Sequence, residues 1–273
     1  MRRCVSDSSW QVAHVARWLV KEKIAVRELV KQGLKKVYLD GVARELRRTS
    51  RRIWWHCKRR FGRLDDEIMK RYLSTHEIRK LHIGCDDHIL NGWLNADLFP
   101  RSAMVLHLDA TEPFPFGNEE FNYIFSEHMI EHISYSQGLQ MLSECYRILK
   151  KDGKIRISTP DLAFLIDLYK EEKSDLQKEY IKWATVRPIA FVSCNDVTFV
   201  INNFVRAWGH KFIYDEKTLY ASLKKSGFTR VTRCELNESE EEALQNLENE
   251  KRMPEGFLKL ETMTLEGTKL LAS

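Results

Sequence analysis

Residues 80–97 constrain the fold of this chain more than any other segment. Leu81–Ile83 has the pattern of a short buried strand that stops at Gly84, and a glycine at a strand end lets a ligand approach the backbone closely. A second apolar stretch ends at Asp97, where a carboxylate can accept hydrogen bonds from both hydroxyls of a ribose. Two neighbouring strands that end in such residues predict a site for a nucleoside cofactor.

The connection between these strands is short. Gly84 and Asp97 are thirteen positions apart, whereas roughly twenty are expected when a full helix separates the glycine turn from the ribose acid. We therefore expect any helix after Gly84 to be only a turn or two long and to end at Gly92.

Strands and helices alternate from Lys80 onward, which predicts a parallel sheet covered on both faces. The predicted strands lie near 81–84, 93–97, 104–108, 121–126 and 154–158, with a sixth in 226–236 and a last one in 260–265. Helices are predicted near 136–150, 161–172 and 216–226. Lys151-Asp-Gly153 is expected to be the turn that ends the first of these helices.

The run Leu81-His-Ile-Gly-Cys85, followed by Gly92-Trp-Leu-Asn-Ala-Asp97, resembles the cofactor motif of class I S-adenosylmethionine-dependent methyltransferases (EC 2.1.1.-). The similar branch is the one found with bacterial surface-polysaccharide genes. Further segments resemble that branch as well: 109–116, 126–132, 149–161, 208–215 and 260–269. The resemblance covers about residues 70–270. It implies an α/β fold with a Rossmann-like, seven-stranded, mostly parallel sheet flanked by helices, an antiparallel last strand, and S-adenosylmethionine as cofactor.

The resemblance also implies which residues bind this cofactor: Gly84, Cys85, Asp86, Asp97, Leu98, Asp109, Ala110 and Ser126. Asp97 would bind the ribose, although the same residue could cap a helix or a turn. Asp109 would accept from the adenine amino group, and a capping role fits its position equally well. Asp86 stands where the family usually has a second glycine, which places a charge near the methionine end of the cofactor and a poorly suited residue wherever φ is positive.

Transfer of a methyl group to a sugar hydroxyl needs a base for the hydroxyl proton, and histidine is the usual one. The candidates are His128, His132 and His210, each of which could instead be a hydrogen-bonded structural histidine. The run Glu127–His132 also has a metal-like spacing, but the sequence offers no supporting ligand shell and we expect no metal. The chain lacks the Asp/Asn-Pro-Pro-aromatic motif of enzymes that methylate base amines, which argues against a nucleobase acceptor.

Charge divides the chain into two parts. Residues 1–80 contain 22 Lys and Arg against 9 Asp and Glu, a net +13, and the remainder has 22 against 30, a net −8. We expect a basic helical extension over 1–69, with an amphipathic helix near 10–32, a second helix near 37–48 and a basic aromatic segment at 51–60. Residues 70–273 would form the methyltransferase domain, with 171–215 as a variable segment on the acceptor side. The extension could pack on that domain or bind an anionic membrane.

Six scattered cysteines without a C-x-x-C pair, and no membrane-spanning apolar run, favour a soluble cytoplasmic protein, with peripheral attachment at the inner membrane face as a further option. The function expected is O-methylation of a saccharide or glycan precursor, with a small molecule or glycan as partner rather than nucleic acid. Two alternatives remain open. One is an RNA-binding or RNA-modifying protein that uses the basic extension, and the other is a non-catalytic scaffold with a methyltransferase fold, which Asp86 suggests. The sequence does not fix the oligomeric state.

Overall fold

A computed structural model of the chain describes residues 63–186, 196–206 and 208–270. The segments expected at 10–32, 37–48 and 51–60 lie outside these residues. Helix α1, Leu64–Thr75, runs through the boundary expected after residue 69. Within the described ranges, no helix is long and apolar enough to cross a membrane.

The described residues form seven strands: β1 Lys80–Ile83, β2 Leu94–Asp97, β3 Leu106–His107, β4 Phe121–Glu127, β5 Leu149–Pro160, β6 Thr229–Cys234 and β7 Thr262–Thr268. After α1, six α-helices follow: α2 Tyr135–Ile148, α3 Leu162–Asp167, α4 Asp175–Val186, α5 Val197–Arg206, α6 Glu216–Lys225 and α7 Phe257–Glu261. Three 3₁₀ turns lie at Ile130–His132, Glu242–Leu244 and Glu250–Arg252.

All seven strands form one sheet in the order β3-β2-β1-β4-β5-β7-β6. The pairs from β3 to β5 are parallel, and β7 is antiparallel to both β5 and β6. The α/β class, the seven-stranded mostly parallel sheet and the antiparallel last strand are thus confirmed. In an open sheet of this kind, ligands bind beyond the carboxyl ends of the parallel strands, where the strand order reverses. Here that point lies between β1 and β4.

Local sequence sets where the helices begin. Ser134 and Gln137 form a capping box at the start of α2, in which each side chain accepts from the other residue's backbone N–H. Asp161 and Asp215 cap α3 and α6 in the same role.

Helices α1, α2 and α6 cover one face of the sheet. Side chains alternate between the two faces of a strand, so Leu81, Ile83, Ile155 and Ile157 point to one side, where they join a core with Ile68 of α1, Met141 of α2 and Leu219 of α6. This core holds 28 buried residues and is the main one of the domain. Burial of its apolar area, at about 25 cal/mol per Å², supplies most of the stability.

The segment between β6 and α7 packs on the opposite face. Leu244 and Leu247 of this segment pack on Trp93 and Phe125. Arg156 of β5 lies fully buried beneath the same segment and donates five hydrogen bonds to it and to β7, which go to the Glu248 carboxylate (two), the Glu266 carboxylate, and the carbonyls of Glu235 and Glu238. The acidic run 238–242 is thus attached to the sheet through the carbonyl of Glu238, by an arginine that the sequence pattern did not single out.

No helix forms between β1 and β2, which is within the limit of a turn or two that the spacing set. Residues 84–93 form only turns, and Gly92 serves a turn with φ of +76° instead of ending a helix. Thirteen positions that also contain part of β2 leave too few residues for a helix to cross the sheet face. The turn expected at Lys151-Asp-Gly153 is also displaced, since α2 ends at Ile148 and β5 already begins at Leu149.

Helices α3, α4 and α5 form a separate layer within residues 162–214. Phe164, Tyr180, Val200 and Phe204 pack together in its own apolar core, which also contacts Phe257 of α7. The two ends of this layer meet, because the N–H of Leu162 donates to the carbonyl of Tyr214 at 2.8 Å. Helices α4 and α5 fall in the segment that the sequence analysis left as variable.

Candidate active site

A cavity of about 370 Å³ lies beyond the carboxyl ends of β1 and β4, where this fold class places its ligands. Its walls come from the end of β1 and the turn after it, the end of β4, and the 3₁₀ turn before α7. They are formed by His82, Gly84, Cys85, Asp86, Asp87, His88, Glu127, Asn249, Lys251 and Arg252. The lining is mostly polar and contains both signs of charge.

Glu127, at the end of β4, has its carboxylate buried in this wall with its side chain only 3% exposed. Its Oε1 accepts from the N–H of Asn249 at 3.0 Å and lies 3.8 Å from Nη1 of Arg252. On the other side, Nδ1 of His88 is 3.6 Å from Oε2. A buried carboxylate beside an arginine offers complementary partners to an ammonium and a carboxylate of the same ligand.

The turn after β1 has the backbone geometry that glycine allows. Gly84 has φ of +77°, and its N–H and that of Cys85 both donate to the carbonyl of Ala96. A Cβ on Gly84 would lie 2.5 Å from Cγ of Met129. Glycine is thus required here by the packing of Met129 as well as by its positive φ. The sequence predicted that a ligand would approach this backbone closely, but on this side of Gly84 the Met129 side chain does so.

Asp86, which stands where the family usually has a second glycine, also has a positive φ, of +46°. Its backbone N–H donates to Oδ2 of Asp97 at 2.9 Å, and its carboxylate pairs with Nη2 of Arg101 at 2.7 Å. Burial raises the pKa of Asp86, and Arg101 opposes that shift. Asp97 accepts a second backbone bond, from Phe99 at 2.7 Å, so its carboxylate holds the two loops together.

The remaining expected cofactor residues have varied surroundings. Cys85 is buried in the cavity wall, and burial raises the pKa of its thiol to about 12. Leu98 is exposed, and Ala110 belongs to the main core. Asp109 accepts from the N–H and the hydroxyl of Thr111, which is the capping role left open by the sequence. The buried hydroxyl of Ser126 has no hydrogen-bond partner.

The three candidate bases lie close together around Glu131. Nδ1 of His128 is 3.6 Å and Nε2 of His132 is 3.9 Å from Oε1 of Glu131. His210, 78 positions after His132, stacks edge-on against it with ring centroids 5.0 Å apart. The structural role left open for a histidine fits His128, which is buried and hydrogen-bonded through Nε2 to Thr262 at 2.8 Å.

Burial dominates the electrostatics of this cluster. It raises the pKa of Glu131 to about 8 and lowers that of His210 to about 4. It also lowers the pKa of His132, while a hydrogen bond to the Gly209 backbone opposes that shift. After burial, the charge of Arg252 is the next cause that lowers the pKa of His128. Arg252 lines the cavity, and His128 directly follows Glu127 of the cavity wall.

Sequence reasoning missed the cavity residues Asn249, Lys251 and Arg252. Their only signal was a pair of cations after the acidic run 238–242. A charge pattern of this kind is usually a solvated surface, and nothing in it places the pair opposite Glu127.

Comparison with known proteins agrees with this geometry. Residues 91–157, about a quarter of the chain, match a family described as "Methyltransferase domain". No curated protein matches the chain.

Solved structures with a similar fold include three methyltransferases. The CurJ carbon methyltransferase is 12% identical with a TM-score of 0.39, over 71% of this chain and 48% of that chain, so the present chain spans about half of its length. A methyltransferase from Archaeoglobus fulgidus is 16% identical with a TM-score of 0.41, over 79% and 99%. Phosphoethanolamine N-methyltransferase 2 of Haemonchus contortus, in complex with phosphomonomethylethanolamine and S-adenosylhomocysteine, is 17% identical with a TM-score of 0.37, over 76% and 52%. Such distant likenesses carry no argument about the acceptor.

The matched residues 91–157 include β2, β3, β4 and most of β5 of the sheet, beside the candidate site. S-adenosylmethionine is the cofactor of this family of domains. The residues present fit that cofactor, because the cavity offers both a buried carboxylate and an arginine beside a glycine turn.

Proposed function

We propose that this enzyme methylates a hydroxyl oxygen of a saccharide or glycan precursor by direct in-line transfer. The observation that carries the proposal is the cluster of His128, His132 and His210 around Glu131, a residue of the 3₁₀ turn that follows β4. An uncharged hydroxyl is a weak nucleophile that must lose its proton as it attacks, so it needs such a cluster. The choice of a saccharide follows from the resemblance to the polysaccharide-associated branch.

The cavity residues would hold the cofactor by its two ends. Glu127 would accept from the ammonium of the methionine part, and Arg252 would donate to its carboxylate. Asp97 keeps lone pairs for the ribose hydroxyls beside its two backbone contacts, and Asp109 with Ala110 would flank the adenine. When bound, S-adenosylmethionine supplies an electrophilic methyl group whose carbon–sulfur bond breaks, with the electron pair kept by sulfur, as the oxygen–carbon bond forms.

The chain's own contribution is to orient the acceptor and to accept its proton. Of the two histidines whose rings meet, His132 is an accessible candidate, with its side chain 41% exposed. The layer of α3–α5 lies on the same side, since His210 follows α5 directly, and would form the wall that selects the acceptor. Orientation of two reactants in line can contribute several kcal/mol to catalysis.

The test is a methyl-transfer assay on the full-length protein with radiolabelled S-adenosylmethionine. Candidate acceptors are nucleotide sugars, free glycans and lipid-linked glycans, with small amines and RNA as comparison classes. We expect label on a glycan hydroxyl, identified by NMR as an O-methyl ether. Label on an amine nitrogen or on RNA, with none on any saccharide, would refute the proposal.

A matched pair of variants tests the cluster. His132→Gln should lower kcat by at least about a hundredfold if this residue takes part in proton removal. His76→Gln, which changes the histidine directly after α1, should leave kcat unchanged. Equal kcat values for both variants would remove His132 from the reaction.

A further inference from the structure

The cluster around Glu131 contains three side chains whose ligand atoms all lie within 4.8 Å of one another: Glu131, His132 and His210. We propose that these residues bind a divalent transition-metal cation, with zinc as the probe ion. Two imidazoles and one carboxylate are the protein ligands of a common class of catalytic zinc site. This set differs from the run Glu127–His132 that the sequence spacing suggested, because Glu127 faces the cavity and His128 bonds to Thr262.

The backbone fixes the three ligands relative to one another. The carbonyl of Glu131 accepts from the N–H of Lys211 at 2.7 Å and from that of Phe212 at 3.2 Å. These bonds hold the residue before them, His210, beside the 3₁₀ turn that carries Glu131 and His132. The cluster is therefore preformed by main-chain contacts, as a binding site on rigid elements must be.

The carboxylate of Glu131 has one oxygen committed and one free. Oε2 accepts from the hydroxyl of Thr159 at 3.1 Å. Oε1 is buried, has no hydrogen-bond partner, and is the oxygen nearest to both His128 and His132. A buried polar atom without a partner costs about 1–3 kcal/mol, and a cation bound at Oε1 would remove that cost.

Both histidines have their Nδ1 side occupied by main chain. Nδ1 of His210 is 2.7 Å from the carbonyl of Phe204. The Nδ1 side of His132 faces Gly209, since a Cβ on this glycine would lie 3.6 Å from Nδ1. Donation of Nδ1–H to a carbonyl fixes the tautomer with a lone pair on Nε2, and metal-binding histidines are held in this way.

The ligand atoms lie slightly farther apart than those of a tetrahedral zinc site. Ligand atoms about 2.0–2.1 Å from a tetrahedral zinc ion lie about 3.3 Å apart. Nε2 of His132 is 3.9 Å from Oε1 of Glu131, so a small rotation of the half-exposed His132 side chain brings the pair into range. Three protein ligands leave a fourth position open on the solvent side.

For its catalytic part, this inference rests on the proposed function. A cation held here would take the acceptor hydroxyl at its open position and lower the pKa of that hydroxyl. His132 and His210 would then bind the cation instead of accepting the proton themselves, and the proton of the acceptor hydroxyl would leave to solvent water. Metal binding itself does not depend on the identity of the acceptor.

The experiment measures binding without turnover. Full-length protein, stripped with a chelator, is titrated with Zn²⁺ by competition with a chromophoric chelator and with Co²⁺ by visible absorption. We expect one site with Co²⁺ bands typical of four or five ligands. Glu131→Gln, which keeps the bond from Thr159, and His132→Gln should each weaken binding at least about tenfold. His76→Gln is the matched control and should bind as the wild type.

The outcomes separate this inference from the proposed function. A titration that shows no saturable site, or one that Glu131→Gln and His132→Gln leave unchanged while both variants remain folded by circular dichroism, overturns the metal site. Methyl transfer to a saccharide that persists in the chelator-stripped protein overturns the catalytic role of the metal and leaves the proposed function standing. Metal binding at these residues without any saccharide methylation leaves the site standing and refutes the proposed function.

Discussion

Replacement of Arg156 by methionine should destabilise the domain strongly. The guanidinium is fully buried and makes its five hydrogen bonds to two carboxylates and two carbonyls. Removal of one partner from a buried ion pair costs about 3–5 kcal/mol, because the opposite charge is left without compensation. Two carboxylates, Glu248 and Glu266, would be left here. Against the roughly 5–15 kcal/mol that stabilises a typical domain, we expect a loss of at least about 3 kcal/mol.

The assay is urea unfolding at neutral pH, followed by tryptophan fluorescence, with the same m-value required for all variants. The control is the triple variant Arg156→Met, Glu248→Gln, Glu266→Gln, which removes the arginine together with both charges. It should be less destabilised than Arg156→Met alone, since no unpaired buried carboxylate remains. Arg156→Lys should fall between wild type and methionine, because an ammonium cannot reproduce the two-pronged bond to Glu248.

A loss below about 1 kcal/mol for Arg156→Met, or a triple variant that is less stable than the single one, would refute this reasoning. The loss of Arg156 should also affect the cavity. Glu248 directly precedes Asn249, and Arg252 follows three positions later, so release of the segment also removes a wall of the cofactor site. We therefore expect Arg156→Met to weaken S-adenosylhomocysteine binding even under conditions where it remains folded.

The other predictions concern the cofactor site and the basic extension. Asp97→Ala should weaken S-adenosylhomocysteine binding, measured by calorimetry, at least about tenfold, because two ribose hydroxyls lose an acceptor worth about 1.5–3 kcal/mol; unchanged affinity in a folded variant would remove Asp97 from the site. Asp86→Gly should keep or raise the affinity for S-adenosylhomocysteine, since glycine accepts φ of +46° freely and the half-exposed ion pair with Arg101 contributes little. A marked loss of affinity would mean that Asp86 is itself required. In sedimentation with anionic vesicles at low salt, the full chain should bind and a chain without residues 1–62 should not; equal behaviour of the two would refute a membrane role for the basic extension.

Apolar patterning was a reliable guide where strands are short and end at distinctive residues. Leu81–Ile83 and the stretch ending at Asp97 were placed within a residue or two, because a buried strand bounded by glycine or aspartate has few alternatives. Helices α4 and α5 had a similar signal in the spacing of Tyr180 with Ala184 and of Val200 with Phe204. The segment 171–215 was treated as variable as a whole, so that spacing was not used.

The composition of the site depends on contacts that no local pattern contains. His210 reaches Glu131 because two backbone N–H groups that follow it bond to the Glu131 carbonyl. Arg252 reaches Glu127 because Arg156 fastens the intervening segment to the sheet. Both arrangements join residues more than 75 positions apart, and only the folded chain determines them. The sequence could therefore name the candidate histidines but not the arginine or the geometry.

The single hydrogen bond between Leu162 and Tyr214 has a practical consequence for engineering. It closes the α3–α5 layer into a loop that leaves the sheet and returns at almost the same point, and a closed excursion of this kind can change in length at little entropic cost. The layer is thus an exchangeable cassette, with graft points after Asp161 and before Tyr214. A transplanted cassette would have to keep the contact with Phe257 and the ring of His210 to join the host catalytic centre.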